Sequence, residues 1–187
     1  MRTKSFTDVG GFVPLDHLWA TWRSAYVGKV VDTRTLPTPE AANGRSLFER
    51  ILAGADEEGD AVAGVLWRGA SCFALLNLYP YTAGHLMVLP HRAVADLEGL
   101  TDAEHTELWG AVRDSVVALK AAFRCDAVNV GLNLGAAAGG SQSDHLHVHC
   151  VPRWSGDANF IAVAAETRVL PVSLEEAAVR IRAAWPA

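Results

Sequence analysis

Three histidines alternate with apolar residues in one short segment, Asp144-His145-Leu146-His147-Val148-His149-Cys150-Val151-Pro152. Alternation with a period of two is typical of a β-strand, so the three imidazoles are predicted to share one face, about 6–7 Å from one to the next. The side chains between them are predicted to face the core: Leu146, Val148 and Cys150. Three of the chain's seven histidines therefore meet on one face, where each ring needs a hydrogen-bond partner, a metal or a substrate.

Three uses of such a face are chemically reasonable. Zinc needs about four converging ligands, but the chain has no cysteine pair, and Asp144 is the only carboxylate near the histidines. A structural role, with each ring hydrogen-bonded on a half-exposed sheet, is the ordinary explanation for a single histidine. The third use is catalysis at a phosphate, in which a neutral imidazole attacks phosphorus and a protonated neighbour offsets charge.

A glycine-rich segment, Gly131 to Ser141, leads into the histidines. Its Gly139-Gly140-Ser141 sequence can turn consecutive backbone N–H groups toward an anion, and Asn133 and Ser141 add polar side chains. No lysine or arginine lies between Asp126 and Pro152. A phosphate bound here would therefore rely on imidazolium and on neutral donors.

The elements that must position these residues follow from periodicity and turn signals. Strands are predicted over residues 61–68, 72–77, 84–90, 127–133 and 145–151. Helices are predicted over 16–27, 46–53, 101–124 and 173–184, with an acidic turn at 56–60. Ser46, Thr101 and Ser173 are predicted N-caps, each with glutamate three residues later. The long helix has an apolar face: Leu108, Val112, Val116, Leu119 and Phe123. Strands, one long helix and two more strands predict an α+β fold with antiparallel neighbours.

Composition bounds the class of protein. With 187 residues, half of them apolar, the chain is expected to form one domain with terminal extensions. The net charge of −5 argues against sequence-independent binding of nucleic acid. The cysteines lack CxxC spacing and are predicted to be buried, reduced thiols: Cys72, Cys125 and Cys150. Neither a signal peptide nor a spanning segment is recognisable, so a cytoplasmic protein without a membrane partner is expected.

The histidine segment resembles a known family. His145-Leu146-His147-Val148-His149-Cys150-Val151 matches the H-x-H-x-H motif, followed by apolar residues, of the histidine triad (HIT) nucleotide hydrolases and transferases. Four other stretches are similar to the family: 18–27, 77–88, 131–141 and 152–160. Together they look most like its diadenosine tetraphosphate phosphorylase branch. The resemblance implies a HIT-like domain at 15–162, an antiparallel sheet of about five strands with the long helix packed on it. An N-terminal extension at 1–14 and a C-terminal extension with a helix at 163–187 would flank it.

The resemblance also implies roles for individual residues. His147 would be the nucleophile that attacks the α-phosphorus and becomes nucleotidylated. The backbone carbonyl of His145 would hold the His147 ring, and His149 would contact the phosphate and assist the leaving group. Substrate-binding roles fall on six further residues: Asn77, His85, Asn133, Gly140, Ser141 and Trp154.

For the whole chain, the resemblance implies a nucleotidyltransferase that splits diadenosine tetraphosphate with inorganic phosphate into ATP and ADP. One alternative is hydrolysis of dinucleoside polyphosphates or nucleoside phosphoramidates by the same triad. An alternative of another class is a non-catalytic nucleotide-binding protein. The expected partners are the nucleotide, phosphate and a second copy of the chain, because a sheet edge invites pairing and the family is usually dimeric.

One departure from the family concerns zinc. Many relatives have a structural zinc site built from a CxxC pair, a histidine near the end of the third strand and the first triad histidine. Here those first three positions are Ser46, Glu49 and Ala93. No structural zinc and no other cofactor are therefore expected, and a Ser46–Glu49 capping box is predicted to stabilise the same helix start.

Overall fold

The strands and helices are organised around a five-stranded antiparallel sheet. The computed structural model describes residues 44–139, 142–158 and 170–186; the 1–14 extension and the helix expected at 16–27 lie outside them. The strands are β1 (Val65–Arg68), β2 (Cys72–Leu76), β3 (Leu86–Pro90), β4 (Ala127–Gly131) and β5 (Val148–Arg153). The helices are α1 (Leu47–Glu58), the short α2 (Asp60–Ala63), α3 (Asp102–Phe123) and α4 (Leu174–Ala184). Single 3₁₀ turns lie at Leu97–Gly99 and Ala136–Ala138.

The strand order is β1-β2-β3-β5-β4, and every neighbouring pair is antiparallel. The first three strands are sequential neighbours, whereas β5 inserts between β3 and β4. In this register, Met87 of β3 and Gly131 of β4 both lie opposite His149 of β5. The predicted α+β fold is confirmed, and the insertion gives the histidine strand a partner on each side.

Helix α3 begins as the sequence predicts. The Thr101 hydroxyl accepts the backbone N–H of Glu104, and the Glu104 carboxylate accepts the backbone N–H of Thr101. This reciprocal capping box satisfies two donors that a helix start would leave unpaired. Of the predicted apolar face, three side chains are buried (Leu108, Val112 and Leu119), and Val116 and Phe123 are partly buried.

One face of the sheet forms a core with α3. The apolar side chains that alternate with the histidines belong to this core, as predicted: Leu146, Val148 and Cys150. The opposite face is covered by α1, whose Phe48 and Ala55 pack with alternate residues of β2 and β3. Strands β2 and β3 are therefore buried along their whole length.

The C-terminal helix α4 shares the core of α3. Ser173 caps it by accepting the backbone N–H of Glu176, and three of its side chains are buried: Ala177, Ala178 and Ile181. Trp185, just after the helix, stacks on Trp67 of β1 with ring centroids 5.8 Å apart. No helix in the described ranges is long and apolar enough to cross a membrane.

The three cysteines are free and buried, as predicted: Cys72, Cys125 and Cys150. Burial raises the pKa of the Cys72 and Cys150 thiols to about 12. Both therefore stay protonated near neutral pH, and Cys150 lies in the core rather than on the histidine face.

Two predicted boundaries before the sheet are wrong. The strand expected at 61–68 begins only at Val65, because Asp60–Ala63 form a helical turn that ends at Gly64 with φ +76°. The helix expected at 46–53 continues to Glu58, through residues predicted as a turn, and ends at Gly59 with φ +95°. Both ends use a positive φ that glycine adopts without a steric penalty.

The strand predicted at 145–151 is also displaced. Strand β5 begins at Val148, so His149 is the one triad histidine in the ladder, and His145 and His147 precede it. Before the strand, the backbone N–H of Leu146 donates to Val94 O across 2.6 Å, outside the β3 ladder. The side-chain alternation continues through this segment nevertheless, because Leu146 reaches the same core as Val148.

Candidate active site

The three histidines lie on the side of their segment opposite α3, with different degrees of burial. His145 is fully buried, His147 is 7% exposed and His149 is partly buried. The rings of His147 and His149 have centroids 4.9 Å apart and are nearly perpendicular. These two rings are close enough to act on one phosphate group.

One hydrogen bond fixes the tautomer of His147. Its Nδ1 lies 2.8 Å from the backbone oxygen of His145, the contact that the family resemblance implies. A carbonyl oxygen can only accept, so Nδ1 carries the proton, and Nε2 of the neutral ring keeps its lone pair. In the tautomer fixed by this bond, the neutral His147 ring has Nε2 available as a nucleophile.

A chain of hydrogen bonds fixes the tautomer of His149. The backbone N–H of Tyr81 donates to His85 Nδ1 across 3.1 Å, and His85 Nε2 lies 3.0 Å from His149 Nδ1. Because Nδ1 of His85 accepts, the His85 proton is on Nε2 and is donated to His149. His149 then carries its own proton on Nε2, where it can donate to a bound anion.

His149 is a neutral donor rather than an imidazolium in the free protein. Burial, with a smaller contribution from the neighbouring His147, lowers the pKa of His149 to about 4. The ring of Tyr81 stacks on it, with centroids 6.0 Å apart, and lies 4.6 Å from the ring of His85. The sequence allowed either an imidazolium or a neutral group as hydrogen-bond donor to a phosphate. The His149 ring is a neutral donor.

We expect His149 to resist protonation and thereby make stability depend on pH. Between about pH 6.5 and pH 4 the unfolded chain takes up a proton at this position that the folded chain does not. Stability should therefore fall as pH falls through this window, by roughly 3 kcal/mol at most for this group. Thermal unfolding of the wild type and of His149→Asn at several pH values measures it. The variant should lose part of the slope, and equal slopes would contradict the depressed pKa.

His145 is enclosed and bonded at both ring nitrogens. Its Nε2 lies 2.9 Å from Pro90 O, and its Nδ1 lies 2.7 Å from the hydroxyl oxygen of Ser46. The carbonyl acceptor puts the proton on Nε2, so Ser46 donates to Nδ1. Burial also lowers the pKa of His145. This ring is a neutral structural link rather than a group that reaches substrate.

Sequence reasoning missed the part played by the first turn of α1. Phe48 packs against both His145 and His147, with ring centroids 5.4 Å apart in each case. Ser46 and His145 are 99 positions apart in the chain. A contact over that distance leaves no local pattern, so the residues by themselves indicated only a helix cap. The stacking of Tyr81 was missed for the same reason. The zinc site of the family was the one signal that associated positions 46 and 49 with the first triad histidine.

The structure brings two predicted substrate-binding residues to the triad: His85, which bonds to His149, and Asn77, which lies against His85. Asn77 Nδ2 lies 3.3 Å from His85 Nδ1, and Asn77 Oδ1 accepts the backbone N–H of Tyr79. Asn133 lies two residues after β4. The pairing of β4 with β5 ends at Gly131, so the substrate-binding role of Asn133 stays a prediction.

The structure does not place Trp154 in this cluster. Trp154 follows β5 and lies five residues beyond His149, about 16 Å further along the strand direction. Its ring makes an edge contact with Phe123 of α3. Gly140 and Ser141 lie outside the described residues. The substrate-binding roles of Trp154, Gly140 and Ser141 stay predictions.

The geometry is suited to transfer of a phosphorus-centred group. Nε2 of His147 offers a lone pair, and Nε2–H of His149 offers a donor beside it. A donor placed where negative charge develops stabilises the transition state of such a transfer. Among the described residues, no group of three histidine, cysteine, aspartate or glutamate side chains is arranged to hold a metal ion.

Comparison with known proteins identifies sequences similar to this chain. The sequence model of the HIT domain matches residues 59–156. AP-4-A phosphorylase from Mycobacterium tuberculosis is 42% identical over 177 residues, which is 95% of this chain and 88% of that protein. The asymmetrical bis(5'-nucleosyl)-tetraphosphatase from Schizosaccharomyces pombe is 38% identical over 93 residues, which is 50% of each chain.

Solved structures agree with the sequence comparison. A Zn-bound histidine triad family protein from Mycobacterium smegmatis superposes with a TM-score of 0.57 at 27% identity, over 71% of this chain and 91% of that one. The domain match includes the whole His145–His149 segment. With its motif, its sheet and its relatives in agreement, the chain belongs to the HIT domain family.

Proposed function

We propose that the protein is a nucleotidyltransferase that cleaves diadenosine tetraphosphate with inorganic phosphate to give ATP and ADP. The observation that carries the proposal is the 2.8 Å bond from His147 Nδ1 to His145 O, which leaves Nε2 bare beside His149. The choice of substrate is supported by the 42% identity to AP-4-A phosphorylase over nearly the whole chain.

In the first step His147 Nε2 attacks an α-phosphorus of the dinucleotide. A P–N bond forms while the bond from that phosphorus to the bridging oxygen breaks, and ATP leaves with the bonding electron pair. The adenylyl group stays on His147. The Nε2–H of His149 donates to the reacting phosphate, where charge builds up. The His147 ring bears a positive charge in this intermediate, which the carbonyl of His145 stabilises through Nδ1–H.

In the second step an oxygen of inorganic phosphate attacks the adenylyl phosphorus. The P–N bond breaks, ADP is released and His147 recovers its lone pair, so the triad ends as it began. Water attacking at the same point would give AMP instead. The acceptor therefore decides between a phosphorylase and a hydrolase, while the first step is common to both.

The other site residues are proposed to bind the substrate. Asn77 lies against His85, which donates to His149, and Asn77 is proposed to contact the nucleoside side of the substrate. Asn133 is proposed to contact phosphate from the neighbouring strand, together with the Gly140–Ser141 turn. Trp154 is proposed to flank the site.

Assembly into a homodimer belongs to the same proposal. Strand β4 is an edge of the sheet and pairs with β5 on one side. Four of its five residues are exposed. An unpaired strand edge invites pairing with a second copy across a two-fold axis.

Product identification tests the proposed reaction. With diadenosine tetraphosphate and phosphate, we expect equal amounts of ATP and ADP, and isotopic label from phosphate should appear in the β-position of ADP. Without phosphate, turnover should stop after the first step. Formation of ATP and AMP in equal amounts, whether or not phosphate is present, would show hydrolysis instead.

A further inference from the structure

The first turn of α1 is tied to the triad by a closed hydrogen-bond network. The Ser46 hydroxyl donates to His145 Nδ1 across 2.7 Å and accepts the backbone N–H of Glu49 across 3.1 Å. The Glu49 carboxylate accepts the backbone N–H of Ser46 at 2.8 Å and that of Ala93 at 3.0 Å. Ala93 lies three residues after Pro90, the last residue of β3. The network thus joins α1, the end of β3 and the histidine segment.

The Ser46–His145 part of this network is buried, and the Glu49 carboxylate lies at its partly exposed edge. Ser46 is 6% exposed and His145 is fully buried. Burial alone would raise the pKa of Glu49, but hydrogen bonds from the Ala93 and Ser46 backbone N–H groups hold it below its usual value. The carboxylate is therefore ionised, and both of its oxygens accept backbone N–H groups.

A helix cap alone does not explain this arrangement. Ser173 begins α4 with the same Ser-x-x-Glu sequence, and its hydroxyl likewise accepts the N–H of Glu176, but Ser173 is exposed. Ser46 performs the same capping and, in addition, gives its proton to a buried imidazole that is bonded to Pro90 O at its other nitrogen. The ring of His145 is thereby held at both ends.

We propose that Ser46 and Glu49 are positioning residues for His147 and act through His145. A fixed His145 ring fixes the adjacent backbone, and the carbonyl of that same residue accepts the proton of His147 Nδ1. The network therefore helps to keep Nε2 of His147 unprotonated and in the orientation needed for attack on phosphorus. This inference rests on the proposed function for its kinetic consequence, but its structural consequence can be measured without substrate.

The same positions do not suit the zinc site that many HIT relatives carry. Ser46 and Ala93 offer neither a thiolate nor an imidazole. His145 Nδ1 is already occupied by the Ser46 hydroxyl, and both Glu49 oxygens are taken by backbone N–H groups. In this chain, hydrogen bonds fill the position of the metal, and elemental analysis of the purified protein should find no stoichiometric zinc. One tightly held zinc per chain would overturn this part of the proposal.

The test compares Ser46→Ala with Ser46→Thr and with Ser173→Ala. Ser46→Ala removes the donor to His145, Ser46→Thr keeps a hydroxyl, and Ser173→Ala removes a matched cap far from the histidines. We expect Ser46→Ala to lower kcat about 10-fold while KM changes by less than about twofold, because the nucleophile is misaligned while the groups that bind the substrate stay in place. Ser46→Thr should restore most of kcat, and Ser173→Ala should leave it unchanged.

Nitrogen NMR of the histidine rings in the substrate-free protein provides the second readout. The wild type should show His147 protonated at Nδ1 and bare at Nε2, and Ser46→Ala should show a mixture of the two tautomers. If Ser46→Ala fails to fold, Glu49→Gln is used, with Glu176→Gln as its matched control. Unchanged ring signals and unchanged kcat in a destabilised Ser46→Ala would show that Ser46 is only a cap. If the wild type does not cleave the dinucleotide, the proposed function fails, while the ring signals still decide the positioning role.

Discussion

Replacing His147 with asparagine is expected to abolish cleavage of diadenosine tetraphosphate, with a fall in rate of at least ~1,000-fold. The asparagine Nδ2 occupies nearly the position of the histidine Nδ1, so it can still donate to the backbone oxygen of His145. It has no atom at the position of Nε2. The variant therefore removes the nucleophile while keeping the hydrogen bond that the ring makes with its own segment.

The measurement is a single-turnover experiment with substrate labelled on the α-phosphorus and without inorganic phosphate. The wild type should retain label on the protein as an acid-labile phosphoramidate, and His147→Asn should retain none. His105→Asn is the matched control, because His105 is an exposed residue of α3 whose ring accepts from Trp109. Full activity or label on His147→Asn would overturn the assignment of the nucleophile.

Removing the donor of His149 is expected to have the next largest effect. His149→Leu should lower kcat on the order of 100-fold, the usual cost of losing one donor to developing negative charge in a desolvated site. His149→Gln should lose less, because its side-chain amide keeps an N–H near the position of Nε2. The order of activities is therefore wild type, then Gln, then Leu.

Steady-state kinetics of the two variants measure this effect, with thermal unfolding as a check on folding. The substitutions should lower kcat more than they change KM, because the donor stabilises negative charge that builds up during the reaction. His149→Leu also deprives His85 of its acceptor, so some loss of stability is expected. A leucine variant that is folded and as active as the glutamine variant would exclude a role for the His149 proton in the reaction.

Much of the fold could be predicted because its signals are local. The capping boxes at Ser46 and Thr101 were correctly identified from residues three positions apart. The long helix starts and ends within one residue of its predicted limits. The alternation around the histidines correctly placed Leu146, Val148 and Cys150 in the core.

The element boundaries that failed depend on contacts or backbone conformations that the hydrophobic pattern does not encode. Strand β5 starts late because Leu146 bonds to Val94 rather than to β3. Strand β1 starts late because a helical turn ends at Gly64 with a positive φ. In both cases the apolar periodicity continues through residues whose backbone groups form hydrogen bonds outside the sheet. Periodicity alone therefore overestimates the length of the strand.

The sequence by itself determined which residues are the candidates for chemistry: an H-x-H-x-H motif specifies three imidazoles on one side of a segment and the family to which they belong. Only the tertiary structure decided which nitrogen of each ring carries the proton. The position of the proton depends on the hydrogen-bond partners of the ring: His145 O for His147, His85 for His149, and Pro90 O with Ser46 for His145. Apart from the carbonyl two residues before His147, these partners come from distant parts of the chain. Folding brings them together, and their donor or acceptor character then fixes the protons.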